Sequence, residues 1–231
     1  SWKAWWDANR ETFDPKPRPA QGAPAAAVGG ETQASFFKVP ILSTRLVFLL
    51  DLSGSMRDPS PEGGTKLDVA RRGMTETIGA LPADARFGIL GLGCAEDGTY
   101  ALRERKTWQG RPALLPAAPA CKADAARFVA GLEAKGWTNL YDGIEYAFTE
   151  PEVDTVYLYS DGGASKGIFV ASAEILHHLS RMNRFRRIVI HTVEVPGERN
   201  PADNRKLLQE IARATGGTCT LYEGRSGDAR R

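Results

Sequence analysis

The chain has 231 residues, 42% hydrophobic and 25% charged, with a net charge of +2. This suits one medium globular domain with appendages. A near-neutral balance without a basic, aromatic-interleaved stripe gives no footprint for nucleic acid, and the longest apolar runs are too short to cross a bilayer.

Residues 1–13 place Trp2, Trp5 and Trp6 at helical spacing with Phe13 on the same face. They read as the end of an upstream domain or as a docking helix. Because the chain opens with Ser1 rather than Met and shows no signal peptide, it reads as a processed product or a fragment. Residues 14–35, rich in Pro, Ala and Gly, predict a linker. Residues 36–223 predict the folded domain, and 224–231 a disordered polar tail.

Phe36 to Pro40 predicts a short edge strand ended by proline. Leu46 to Leu50 is a five-residue apolar run, suited to a parallel strand buried on both faces. Asp58 to Gly64 is a turn-rich loop. Thr65 with Asp68 then predicts a capped helix start, with Leu67, Ala70, Met74, Ile78 and Leu81 inward. Arg86 to Leu92 predicts the second parallel strand. Asp97-Gly98 marks a hairpin turn, and Tyr100 to Trp108 an antiparallel edge strand.

Residues 110–121 read as a loop, and Phe128, Val129 and Leu132 as a short helix ending at Gly136. A helix from Thr138 carries Leu140, Ile144, Ala147 and Phe148 inward. Val153 to Ser160 is a strand, Ile168 to Met182 a helix, Ile188 to Val195 a strand. Leu208, Ile211 and Ala214 mark a helix closed by Gly216-Gly217, and Cys219 to Tyr222 is the last strand. Strand and helix alternate, so the class is α/β, doubly wound and mostly parallel.

The chemistry gathers where the central strand ends. Asp51-x-Ser53-x-Ser55 sets one carboxylate and two hydroxyls at the sheet's C-terminal edge, where open α/β sheets place ligands. Hard oxygen donors of this kind suit Mg²⁺, Mn²⁺ or Ca²⁺ rather than zinc or copper. Cys94, Cys121 and Cys219 are too few and scattered for a disulfide framework or a zinc site, and read as packed thiols. His177 and His178 are adjacent on a helix and His191 lies in a strand; all three read as packing or surface residues. Arg184, Arg186 and Arg187 read as a solvated loop.

Asp51-Leu52-Ser53-Gly54-Ser55 resembles the D-x-S-x-S arm of the metal-ion-dependent adhesion site of von Willebrand factor A domains. Thr138, in Gly136-Trp137-Thr138-Asn139-Leu140-Tyr141-Asp142, is similar to that family's threonine arm. Asp161, in Tyr159-Ser160-Asp161-Gly162, is similar to its second aspartate arm. The resemblance spans Arg45 to Tyr222. It implies a six-stranded sheet of order 3-2-1-4-5-6 with one antiparallel edge strand and helices on both faces. It also implies Mg²⁺, or Mn²⁺ or Ca²⁺, held by Asp51, Ser53, Ser55, Thr138 and Asp161. A protein partner would supply an Asp or Glu to the open position, across a rim of Trp137, Asn139 and Gly162.

Two departures stand out. Trp137 replaces the family's usual glycine, either walling the rim or joining a binding face. After the last strand, Gly224 to Arg231 cannot form the family's final helix, so apolar surface beside the outer strands needs another cover. The Trp2/Trp5/Trp6 segment, on a tether of about 22 residues with a reach near 25 Å, is one candidate for it, if it does not belong to an upstream domain or a partner.

The expected function is a divalent-cation-dependent protein-binding module within a larger chain or assembly. The alternatives are a structural domain whose metal site is not essential, and a metal-dependent hydrolase. Against an enzyme, the sequence has no Walker loop or H-E-x-x-H. A D-x-D phosphoryl-transfer site would need a carboxylate where Ser53 stands, and Asp142 reads as a helix-start residue rather than a base.

Overall fold

The alternation of strand and helix is realised in the computed structural model, which describes residues 34–93, 113–195, 201–222 and 224, with only the backbone over 201–204. All fall within one compact unit, Gln33–Arg231. In chain order the strands and helices are β1 (Ser35–Phe36), β2 (Val39–Pro40), β3 (Arg45–Asp51), α1 (Lys66–Ala80), β4 (Arg86–Leu92), β5 (Leu115–Pro116) and α2 (Pro119–Ala130). There follow α3 (Leu140–Ala147), β6 (Thr155–Ser160), α4 (Ser172–Arg186), β7 (Val189–Glu194), α5 (Pro201–Thr215) and β8 (Cys219–Leu221).

The six-stranded sheet has the order β5-β4-β3-β6-β7-β8, the one expected. β3 pairs in parallel with both β4 and β6, so Leu46 stands between Phe87 and Thr155. Only β5 is antiparallel among the described strands of this sheet. The edge strand expected at Tyr100–Trp108, with its Asp97-Gly98 turn, lies outside the described residues. The described edge strand, Leu115–Pro116, falls in the stretch read as a loop: two residues ending in proline carry no strand pattern. The next helix starts at Pro119 and is closed by Gly131, earlier at both ends than expected, since proline suits the first helical position.

Local chemistry sets the other elements much as expected. Thr65 and Asp68 form a reciprocal capping box on α1, and Leu67, Ala70, Met74, Ile78 and Leu81 are buried. Gly216, at φ 78°, ends α5, with Gly217 N–H returning to the Ala212 carbonyl at 2.8 Å. On α5 Leu207 and Ala212 join Leu208 and Ile211 in the core, while Ala214 faces outward. Likewise α4 begins at Ser172, so Ile168 and Ala171 precede it and are exposed, whereas Ile175 and Leu179 are buried.

The arginine run is not a solvated loop. Arg186 closes α4 and donates to the carbonyls of Phe148 and Glu150, both at 2.6 Å, and Arg187 caps the helix in the left-handed region. His178 stacks on Phe169 and His191 on Tyr157, as packing residues do. Cys121 and Cys219 are half-buried free thiols; Cys94 lies outside the described residues.

Phe36 to Pro40 does not extend the main sheet. β1 and β2 form a separate antiparallel hairpin whose aromatic rings enter the core. Phe36 packs on Phe48 and Tyr157 at 5.1 and 5.7 Å between ring centres. Phe37 packs on Tyr159 and Tyr222 at 4.4 and 4.8 Å. The hairpin thus packs its rings on the middle strands β3 and β6 and on Tyr222, just past β8. The Trp2/Trp5/Trp6 segment, the candidate cover for the surface beside the outer strands, lies outside the described residues.

Candidate metal centre

The centre is built on the C-terminal ends of the two middle strands. β3 ends at Asp51 and β6 at Ser160, and both are fully buried. Asp51 Oδ1 accepts the Ser53 N–H at 2.8 Å, and Oδ2 accepts the Ser160 hydroxyl at 2.5 Å. The first bond bends the chain into the Ser53–Ser55 turn; the second ties the two strands at their ends. Ser160 is a positioning residue that motif reading passed over, although it stands directly before Asp161.

Beyond the turn three oxygen-bearing side chains form a chain of contacts. Ser53 Oγ and Ser55 Oγ are 3.0 Å apart, and Ser55 Oγ donates to Asp161 Oδ1 at 2.9 Å. Residues from two arms, 106 positions apart in sequence, therefore meet. Thr138 is buried and lies one residue further from α3 than a helix start, since Asn139 is the N-cap. Its arm is stitched to the first: Gly54 N–H donates to the Gly136 carbonyl at 2.9 Å and Lys135 N–H to the Leu52 carbonyl at 2.7 Å. Gly136 holds this close approach at φ 72°, a conformation that suits glycine.

Two carboxylates brought together raise the energy of their charged forms. Burial first, and the nearby Asp161 carboxylate second, push Asp51 up to about 6. The partner of Asp161 is Lys66, the first residue of α1, whose Nζ lies 2.6 Å from Asp161 Oδ2 and 3.5 Å from Asp58 Oδ2. Lys66 is buried. Sequence reading missed it, yet a cation in the first turn opposes the helix dipole, and that mismatch was the available signal.

Around the centre lies a half-apolar rim. Trp137 is 45% exposed, Ile168 60% and Val170 42%, with Lys166 Nζ 5.7 Å from the centre of the Trp137 ring. The 162–171 loop is held to the threonine arm: Ser165 and Lys166 N–H groups donate to the Thr138 carbonyl at 3.0 and 3.2 Å. Asp142 anchors the same loop, accepting from Ile168 N–H at 3.1 Å and Asn139 Nδ2 at 2.8 Å. Asn139 is half-buried under Gly167, and its Oδ1 is buried without a hydrogen-bond partner. Gly162 is half-buried, its N–H on Ser160 Oγ at 3.2 Å.

Among the described residues no three His, Cys, Asp or Glu side chains cluster as a metal site. An ion here would depend on hydroxyl ligands together with Asp51 and Asp161. Uncharged hydroxyls and carboxylates in one contiguous chain fit a hard divalent cation.

No protein-family profile and no curated protein matches the sequence. Solved structures do. A von Willebrand factor type A protein from Catenulispora acidiphila is similar at TM-score 0.59 and 21% identity, over 76% of this chain and 38% of that one. The fold is that of von Willebrand factor A domains. Proximal thread matrix protein 1 from the mussel byssus is similar at TM-score 0.53 and 17% identity, over 77% of this chain and 41% of that one. A mutant of the PilB minor pilin from Streptococcus sanguinis is similar at TM-score 0.54 and 10% identity, over 79% and 58%. The chain thus spans less than half the length of the first two. No helix among the described residues is long and apolar enough to cross a membrane.

Proposed function

We propose that this von Willebrand A-type domain is a divalent-cation-dependent protein-binding module. Mg²⁺, with Mn²⁺ or Ca²⁺ as substitutes, is held by Asp51, Ser53, Ser55, Thr138 and Asp161. The observation that carries the reading is the meeting of Ser53, Ser55 and Asp161 through contacts of 2.9–3.0 Å at the sheet's C-terminal edge. Two carboxylates and three neutral hydroxyls supply five ligands, which leaves an octahedral dication one coordination position to fill. A carboxylate from a partner's Asp or Glu suits that need, and the exposed Trp137, Ile168 and Val170 offer apolar contact beside it. This is binding rather than turnover: the two carboxylates nearest the ion serve as its ligands, and no step requires a base. Among the proteins of similar fold, one is a thread matrix protein of a byssus and one a minor pilin, which favours an adhesive or assembly role within a larger chain.

Calorimetric titration with Mn²⁺ and Mg²⁺ tests the site. Wild type is expected to bind, and Asp51→Ala and Thr138→Ala to lose at least about tenfold in affinity. Equal affinity in Asp51→Ala would remove the assignment. A partner captured with equal efficiency in EDTA would favour the alternative, a structural domain. That alternative draws on the Lys66–Asp161 pair, which already gives one site carboxylate a countercharge.

A further inference from the structure

Lys66 is a charged group at the centre that the five-ligand pattern does not account for. Its side chain is 5% exposed and faces that of Asp161, 3% exposed, across 2.6 Å. Asp161 is thereby fully engaged, Oδ1 by the Ser55 hydroxyl and Oδ2 by the ammonium. Asp58, 3.5 Å away on the same ammonium, is half-exposed at 50%.

We infer that Lys66 is a tethered monovalent cation that occupies the Asp161 arm in the metal-free protein and passes to Asp58 when a divalent ion enters. The lysine thereby sets how tightly the site holds metal. This rests on the metal-binding reading above.

The argument is one of space and charge. Mg²⁺ takes its oxygen ligands at about 2.0–2.1 Å. An ion bound to Asp161 while the ammonium stayed at 2.6 Å would lie within about 4–5 Å of a like charge, in a site where water screens little. Both cannot hold Asp161 at full strength. The ammonium sits on a flexible four-carbon stem, and Asp58 is already within ion-pair distance, so the shift leaves neither charge alone. With no divalent ion present, Asp51 and Asp161 would face each other without a cation. Lys66 supplies it, and the backbone arms stay in place.

The test uses the metal alone. Mn²⁺ and Mg²⁺ affinities are measured by calorimetry for wild type, Lys66→Met, Lys66→Arg and Asp58→Asn, with melting temperatures in EDTA and in saturating Mn²⁺. Removing the competing cation should tighten Mn²⁺ binding by about tenfold or more. Lys66→Arg, which keeps the charge, should remain as weak as wild type or weaker. Asp58→Asn, which removes the destination, should weaken binding severalfold. In EDTA the Lys66→Met protein should melt below wild type, and Mn²⁺ should close that gap.

Unchanged or weaker binding in Lys66→Met, with binding measurable in wild type, overturns the lysine's role and leaves the metal site standing. No heat and no Mn²⁺-dependent melting shift in any variant overturns both. Should Lys66→Met fail to fold, Lys66→Gln gives the same affinity readout, and Asp58→Asn decides alone: an affinity equal to wild type overturns the handover.

Discussion

On one face of the sheet Val47, Leu49, Val156, Leu158 and Ile190 lie in a single aliphatic layer beneath α3, α4 and α5. On the other, α1 and α2 pack over β3 and β4, while the half around β6 to β8 meets Phe36 and Phe37. Helices cover the first face with many Leu and Ile side chains. A six-residue hairpin, Ser35 to Pro40, covers that half of the second with two aromatic rings set among Phe48, Tyr157, Tyr159 and Tyr222. Large flat rings bury roughly 150–250 Å² each, so two of them replace much of a helix face. The cost is in the backbone: Phe37 and Lys38 turn the hairpin at φ 47° and 71°, where side chains other than glycine are strained.

If the hairpin is part of the core, truncating it should cost as much as truncating the helical face. Phe36→Ala is expected to lower stability by roughly 3–5 kcal/mol, and Ile175→Ala, on the buried side of α4, by roughly 2–5 kcal/mol. Denaturant unfolding of both variants makes the comparison. A loss below about 1 kcal/mol for Phe36→Ala, against a normal loss for Ile175→Ala, would show the aromatic cover to be peripheral.

At the metal centre, on the C-terminal ends of β3 and β6, Asp51 should dominate the pH response in the absence of metal. Its carboxyl is raised from 3.8 to about 6 in the fold. The folded protein therefore binds more protons than the unfolded chain between those values. The stabilising contribution is complete below about 3.8, falls as pH rises and is gone above about 6, a change of ~3 kcal/mol at most. In EDTA, the stability of wild type minus that of Asp51→Asn should decline across this window and then level off. A flat difference would show that neither burial nor Asp161 disfavours the charge.

Sequence reading located what has a strong local pattern. The apolar run before Asp51, the Thr65–Asp68 box and the Gly216 stop each declare themselves within a few residues, and the alternation of elements fixed the strand order through the family resemblance. The hairpin was not legible, because Phe37-Lys38 lacks the Asn-Gly type of turn that positive φ angles call for. Nor was β5, which ends in proline. Lys66 was passed over, since a sequence shows charge but not the depth at which it sits. Trp137, open between wall and binding face, proves half-exposed.

Glycines on both faces sharpen the comparison at smaller scale. A methyl group on Gly73 of α1 would overlap the Phe37 ring, and one on Gly143 of α3 would overlap Leu92 Cδ2. Alanine in a helix normally gains about 1 kcal/mol over glycine. Phe37 is gripped between Tyr159 and Tyr222 and has nowhere to move. Leu92 borders a small cavity of about 20 Å³ with Leu90, Asn139 and Tyr146, into which its methyl can turn. Gly73→Ala should therefore destabilise by about 1–3 kcal/mol and Gly143→Ala by less than about 1 kcal/mol. Equal losses would mean that the aromatic face yields as readily as the aliphatic one.

The smallest effect separates the strain of the hairpin from its grip. Lys38 holds the left-handed turn at φ 71°, its Nζ donating to the Gly224 carbonyl at 3.1 Å and lying 5.8 Å from the centre of the Tyr222 ring. Lys38→Met keeps the strain and loses both contacts, so it should destabilise by about 1–2 kcal/mol. Lys38→Gly loses the same contacts but relieves about 1–2 kcal/mol of left-handed strain, set against the greater freedom of glycine in the unfolded chain, about 0.5–1 kcal/mol. It should fall within about 1 kcal/mol of wild type and above Lys38→Met. Chemical unfolding of the pair decides which term governs. If glycine is the worse of the two, the turn is not strained, and the hairpin is held by Lys38 as much as by its rings.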